Sequence, residues 1–149
     1  MDGRDYKIAR QVRRIDVLGY WLPAAAWSAV LLLMSGSAGS SSLSERILHW
    51  IFPMTGPAFD VIHYIARKSV HVMAYALLGA LHFRALRGRN RGWQLRWSIG
   101  AVALAILIAA LDEWHQSQVP GRTGMASDVV IDGAGAVLAQ IGYRHTVNG

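Results

Sequence analysis

The run from Trp97 to Leu111 contains no charged residue and ends abruptly on Asp112-Glu113-Trp114-His115-Gln116, with Pro120-Gly121-Arg122 close behind. An uncharged stretch of this kind suits hydrocarbon. A polar cluster at its end costs free energy there unless its groups are paired or used. Three further apolar segments and a makeup of 53% apolar against 16% charged residues exclude an ordinary soluble domain. The net charge of +6 does not indicate a nucleic-acid protein, because the basic residues fall in short clusters between apolar runs, as in membrane proteins. With no cysteine, disulfide and thiolate chemistry are excluded.

Hydropathy and breakers divide the chain into a basic tail over 1–16, four spans near 17–34, 64–84, 96–115 and 127–143, and a tail over 144–149. The expected fold is an all-α membrane protein, a bundle of four transmembrane helices forming one domain over 17–143. The first span, Val17 to Met34, is uncharged and carries Tyr20, Trp21 and Trp27. A cleavable signal is the competing reading of this segment, but its apolar run is longer than a usual signal core. Ser42 and Glu45 form a capping box for a short amphipathic helix bearing Leu43, Ile47, Leu48, Trp50 and Ile51. At about ten residues it is too short to span, so it is expected to lie on the outer surface.

Gly88 and Gly92 break the basic loop between the second and third spans. Ala101, Ala105 and Ala109 make a small-residue stripe on the third span, and Gly135, Ala139 and Gly142 make one on the fourth, with Ser127 as its N-cap. Gln140 reads as an interhelical hydrogen-bond partner, and His63 and His82 as interface or core histidines.

The Lys and Arg distribution sets the orientation. Residues 1–16 carry Arg4, Lys7, Arg10, Arg13 and Arg14; the second loop carries Arg84, Arg87, Arg89, Arg91 and Arg96; and the final tail carries Arg144. The other two connections share Arg46, Arg67, Lys68 and Arg122. Both termini are therefore expected in the cytoplasm, with the polar cluster facing outward. Lys68 lies 16 residues from Arg84, Asp112 16 from Arg96, and Asp128 16 from Arg144. A rise of 1.5 Å per residue then sets all three roughly 24 Å above the basic boundary, just inside the outer edge of a core about 30 Å thick.

Helical phase puts Lys68, His71, Tyr75 and Gly79 on one face, Asp112 with His115 and Gln116 on another, and Asp128 one turn from Asp132. Arg122, on its Pro-Gly turn, can fold back over them. These residues are expected to form one pocket.

The combination Lys68-x-x-His71-x-x-x-Tyr75, Asp112-Glu113-x-His115-Gln116, Pro120-Gly121-Arg122-x-Gly124, Asp128 and Asp132-x-x-Gly135 resembles the VanZ-like family, small bacterial membrane proteins, from about residue 20 to 142. The resemblance implies a multi-pass protein of the bacterial cytoplasmic membrane, part of the cell envelope. The namesake of the family is associated with low-level resistance to the glycopeptide teicoplanin.

Three functions stay open. In the first, a lipid-linked or cell-wall-related anionic ligand is held by Lys68, His71, Tyr75, Gln116, Arg122, Asp128 and Asp132, with Asp112, Glu113 and His115 as candidate acids and bases. Catalysis is not implied by the residues alone, and no cofactor is identified. A divalent metal on Asp112, Glu113, Asp128 and Asp132 is the less favoured variant, since no His-Glu-x-x-His spacing occurs. In the second, the charges pin the helices together in a non-catalytic or partner-binding module. The third is transport, with Asp132, Tyr75 and His82 extending polarity inward; a single deep carboxylate and no interrupted helix make it the weakest. The lipid bilayer is the expected partner and nucleic acid is not; the oligomeric state is not fixed by these residues.

Overall fold

The computed structural model describes residues 3–35, 46–51, 55–119 and 124–148. Its long elements are four helices: α1 (Gly3–Ser35), α2 (Pro57–Arg87), α3 (Leu95–Ser117) and α4 (Ala126–Asn148). No strand occurs among the described residues. Gly56, at φ 96°, turns the chain into α2, and Pro57 occupies its first turn, where a missing N–H costs nothing. At the far end Gly88, at φ 57°, donates its N–H to the Arg84 carbonyl, and Gly92 takes φ 80° before α3 begins. Both breakers read from the sequence thus sit where L side chains are strained.

Segments within α1, α2 and α3 are long and apolar enough to cross a membrane: Val17–Met34, Pro57–Arg87 and Leu95–Ser117, with mean hydropathies of 1.7, 1.2 and 1.8. The distribution of side chains is inverted relative to a water-soluble protein. Leu18, Leu22, Ile65, Met73, Ile99, Leu107, Val130 and Leu138 face outward, while Asp112, Glu113, Asp132, His82 and Gln140 are buried. Large apolar groups on the outside and small or polar groups within are what lipid as solvent selects. The chain is therefore a helical membrane protein.

Close packing is built on small residues, as the sequence implies for α3. Ala101, Ala105 and Ala109 are all 0% exposed, and Ala105 and Ala109 meet Tyr75, Leu78 and Ala136 in one cluster. On α4 the contact face is rotated from the expected one. Ala136 and Gly135 are buried and Ala139 is half-buried, whereas Gly142 is exposed with nothing within 4 Å of a Cβ placed on it. Instead, a Cβ on Gly79 would lie 3.0 Å from Ala136 Cα, and one on Gly135 would overlap the Val72 carbonyl. Gln140 Nε2 donates to the Gly79 carbonyl at 3.0 Å across this interface, the interhelical role expected of it. Ser127 also departs from expectation. It lies inside the first turn of α4, its hydroxyl 3.4 Å from Asp128 Oδ1, and does not cap the helix.

α1 runs antiparallel to α2. Its Tyr20 ring lies under Arg84, and Trp27 Nε1 donates to the Ala74 carbonyl at 3.0 Å. Trp27 and Leu31 cover the Tyr75 cluster from outside. Trp27→Phe keeps an aromatic ring there but removes the N–H and part of the ring surface; a loss of about 1–2 kcal/mol is expected, read as a lower melting temperature of purified protein. Residues 46–51 are helical, with Ile47, Trp50 and Ile51 exposed and His49 packed on Phe59 at 4.4 Å. The Ser42–Glu45 capping box lies outside the described residues.

Candidate functional site

α2 delivers three polar side chains to α4. Lys68 Nζ is 2.5 Å from Asp128 Oδ1, with its ammonium 5.4 Å from the centre of the Tyr64 ring. One turn further, His71 Nδ1 is 3.4 Å from Asp132 Oδ1. One turn beyond that, the Tyr75 hydroxyl lies at 1% exposure within electrostatic reach of Asp112, Asp132 and Glu113. The three, four and four residue steps from Lys68 to Gly79 thus form one continuous face. Its partners on α4 are Asp128 and Asp132, which the four-residue step stacks at matching heights.

α3 closes the cluster. Asp112 is 2% and Glu113 6% exposed, and Gln116 Nε2 donates to Asp112 Oδ2 at 3.1 Å and to Glu113 Oε1 at 3.4 Å. Glu113 Oε2 in turn accepts the Met125 N–H at 2.7 Å, just before α4 starts. The connection folds tightly against the helix it leaves. A Cβ on Gly124 would overlap the Glu113 carbonyl, so the position admits only glycine without a shift of backbone. Glu113, read from sequence as a candidate acid or base, therefore also anchors the α3–α4 connection.

Lys68, Asp112 and Asp128, expected at one depth, do meet at one end of the bundle: Lys68 bonds Asp128, and His71 lies within electrostatic reach of both Asp112 and Lys68. His71, Tyr75, Glu113, Gln116 and Asp132 join them. His115 does not. It is exposed, and among the described residues its side chain makes no hydrogen bond or ion pair to the cluster. Arg122, the expected lid, lies outside the described residues with Pro120 and Gly121. Sequence reasoning missed the Met125 N–H and the close approach of Gly124; the glycine of Pro-Gly-Arg-x-Gly was the available signal.

In this cluster the Tyr75 hydroxyl and Asp132 Oδ2 are buried with no hydrogen-bond partner among the described residues, while Asp132 Oδ1 faces His71. Buried polar atoms are normally satisfied, and one left unmatched costs about 1–3 kcal/mol. No three His, Asp or Glu among the described residues are placed to hold an ion together. Lys68 already engages Asp128, and the Met125 N–H engages Glu113.

No curated protein and no solved structure matches the chain. The VanZ/LLP1 family model matches residues 20–147, from Tyr20 of α1 almost to the end of α4, and so includes every residue of the polar cluster. With that match spanning nearly the whole chain, the protein belongs to the VanZ-like family.

Proposed function

We propose that this VanZ-like membrane protein crosses the bacterial cytoplasmic membrane four times, with both termini inside, and that its polar cluster binds a lipid-linked or cell-wall-related ligand at the outer face. The Lys and Arg distribution supports the orientation. α4 supports the fourth span: it lies along α2 from Lys68–Asp128 at one end to Arg87–Tyr143 at the other. A helix held that way against a membrane-length neighbour shares its depth.

The observation that carries ligand binding is the unmatched Tyr75 hydroxyl and Asp132 Oδ2, beside charges that are already paired. Helix pinning alone needs Lys68–Asp128 and His71–Asp132. It gives no use for a buried phenol without an acceptor. A headgroup offering hydroxyl, amide or amine donors and a phosphate or carbonyl acceptor satisfies both. Native mass spectrometry of protein extracted with its lipids tests this. Wild type is expected to carry a bound species that Tyr75→Phe loses at an unchanged or slightly raised melting temperature, because the change deletes an unmatched hydroxyl. The same bound species on both proteins removes the reading. In cells, the corresponding phenotype is teicoplanin susceptibility that rises on deletion and is not restored by Tyr75→Phe.

A second reading, a non-catalytic pinning network, is favoured by the two α2–α4 pairs and the Glu113–Met125 tie. Under it, Asp112→Asn and Glu113→Gln fail to accumulate rather than lose a ligand. The orientation has its own test, simple to run because the sequence contains no cysteine. Gln118→Cys is expected to react with an impermeant maleimide on intact cells; labelling confined to inverted vesicles reverses the orientation.

A further inference from the structure

The opposite end of the bundle is basic and aromatic. Between Val61 and Leu111, and again after Asp132, there is no Asp or Glu, while Arg84, Arg87, Arg89, Arg91, Arg96 and Arg144 fall in those segments. The first 16 residues carry Asp2, Asp5 and Asp16 against five basic residues. Three arginines lie over rings: Arg87 over Tyr143 at 5.5 Å, Arg144 over Trp93 at 5.2 Å, and Arg96 over Trp97 at 5.2 Å. Trp93 and Tyr143 both pack against the Phe83–Trp97–Ala101 cluster, which joins these arginines into one surface.

A guanidinium stacked by its face keeps the N–H edge for an acceptor. Two donors of this surface, Arg87 Nε and Trp93 Nε1, are buried with no hydrogen-bond partner among the described residues. The site therefore has an excess of donors and of positive charge, the converse of the acid-rich cluster at the other end. We infer that Arg87, Arg144 and Trp93 frame a binding site for the phosphate of an anionic phospholipid headgroup. Lipid rather than a soluble anion fits because Leu95 and Ile99 on the adjoining turns of α3 are 61% and 60% exposed, an apolar surface for the acyl chains. This inference is independent of what the acidic cluster binds.

Full-length protein in nanodiscs of phosphatidylcholine, titrated with phosphatidylglycerol and read by native mass spectrometry, tests it. Wild type is expected to prefer phosphatidylglycerol by about tenfold, and Arg87→Gln with Arg144→Gln to abolish the preference, since hydrogen bonds to charged groups carry effects of that size. Inorganic phosphate is expected not to compete. No headgroup preference in wild type, a preference retained by the double variant, or full competition by inorganic phosphate each overturns the proposal. If the double variant does not accumulate, Trp93→Phe decides: it keeps an aromatic ring for Arg144 to stack on and removes the N–H together with the fused five-membered ring. A preference reduced about threefold supports the site, and an unchanged preference overturns it.

Discussion

Gly135→Ala is expected to lower the unfolding free energy by about 3 kcal/mol, the upper end of what overpacking costs, because the obstacle is backbone. A Cβ at Gly135 would overlap the Val72 carbonyl oxygen and lie 3.1 Å from its carbon and 3.2 Å from its Cα. A side chain could rotate away; the backbone of α2 can only retreat. Val72 follows His71, and Gly135 lies three residues after Asp132, so the retreat would also separate the His71–Asp132 pair. The loss of stability and the opening of the polar cluster come from one displacement. Gly142→Ala is the matched control. Nothing lies within 4 Å of its Cβ, and alanine's helix propensity is expected to stabilise α4 by up to about 1 kcal/mol. Thermal unfolding of purified protein in one detergent compares the two, and equal melting temperatures would show that α2 and α4 do not approach at Gly135.

Lys68→Asp is the second large effect. It sets a new carboxylate against Asp128 where an ammonium now lies 2.5 Å from the oxygen, with Asp112 and Asp132 in the same cluster. Both partners keep 22% of their side-chain surface exposed, so screening moderates the cost to about 2 kcal/mol, below that of a fully buried pair. Adding Asp128→Lys to this variant restores one opposite pair between the same helices. Accumulation in membranes and melting temperature are expected to fall in the single variant and recover in the double one. This exchange also separates the two functional readings. A network that only pins helices is indifferent to which helix carries the ammonium, so full function would return with stability. A ligand site is not, so the exchanged protein would be stable and unable to hold its ligand.

The legible part of this molecule is the part governed by period. Steps of three and four place Lys68, His71, Tyr75 and Gly79 on one stripe, and the alanines of α3 recur every fourth residue, so their burial follows from helix geometry. The shared depth of Lys68, Asp112 and Asp128 follows from a constant rise and three similar basic boundaries. What was not legible depends on choices among neighbours. α4 carries small residues at 133, 134, 135, 136, 139 and 142, nearly all round, so they do not select the contact face; the buried polar pair Asp132 and Gln140 does. His115 was expected with Asp112 because three residues separate them. At about 100° per residue it lies roughly 60° to one side of Asp112 while Gln116 and Glu113 lie to the other, and the cluster centres on Gln116. The Glu113–Met125 bond joins a helix end to a connection 12 residues on, and no periodicity reports such a contact.

The central claim is that Tyr75 Oη and Asp132 Oδ2, unmatched among the described residues, take a ligand as their partner. A structure determined from membranes with native lipids retained tests it most directly. The expected result is headgroup density within hydrogen-bond distance of Tyr75 Oη and Asp132 Oδ2, bordered by the Lys68–Asp128 pair and Asp112. The contradicting result is a site without foreign density in which Tyr75 and Asp132 are satisfied by the chain itself, Arg122 included.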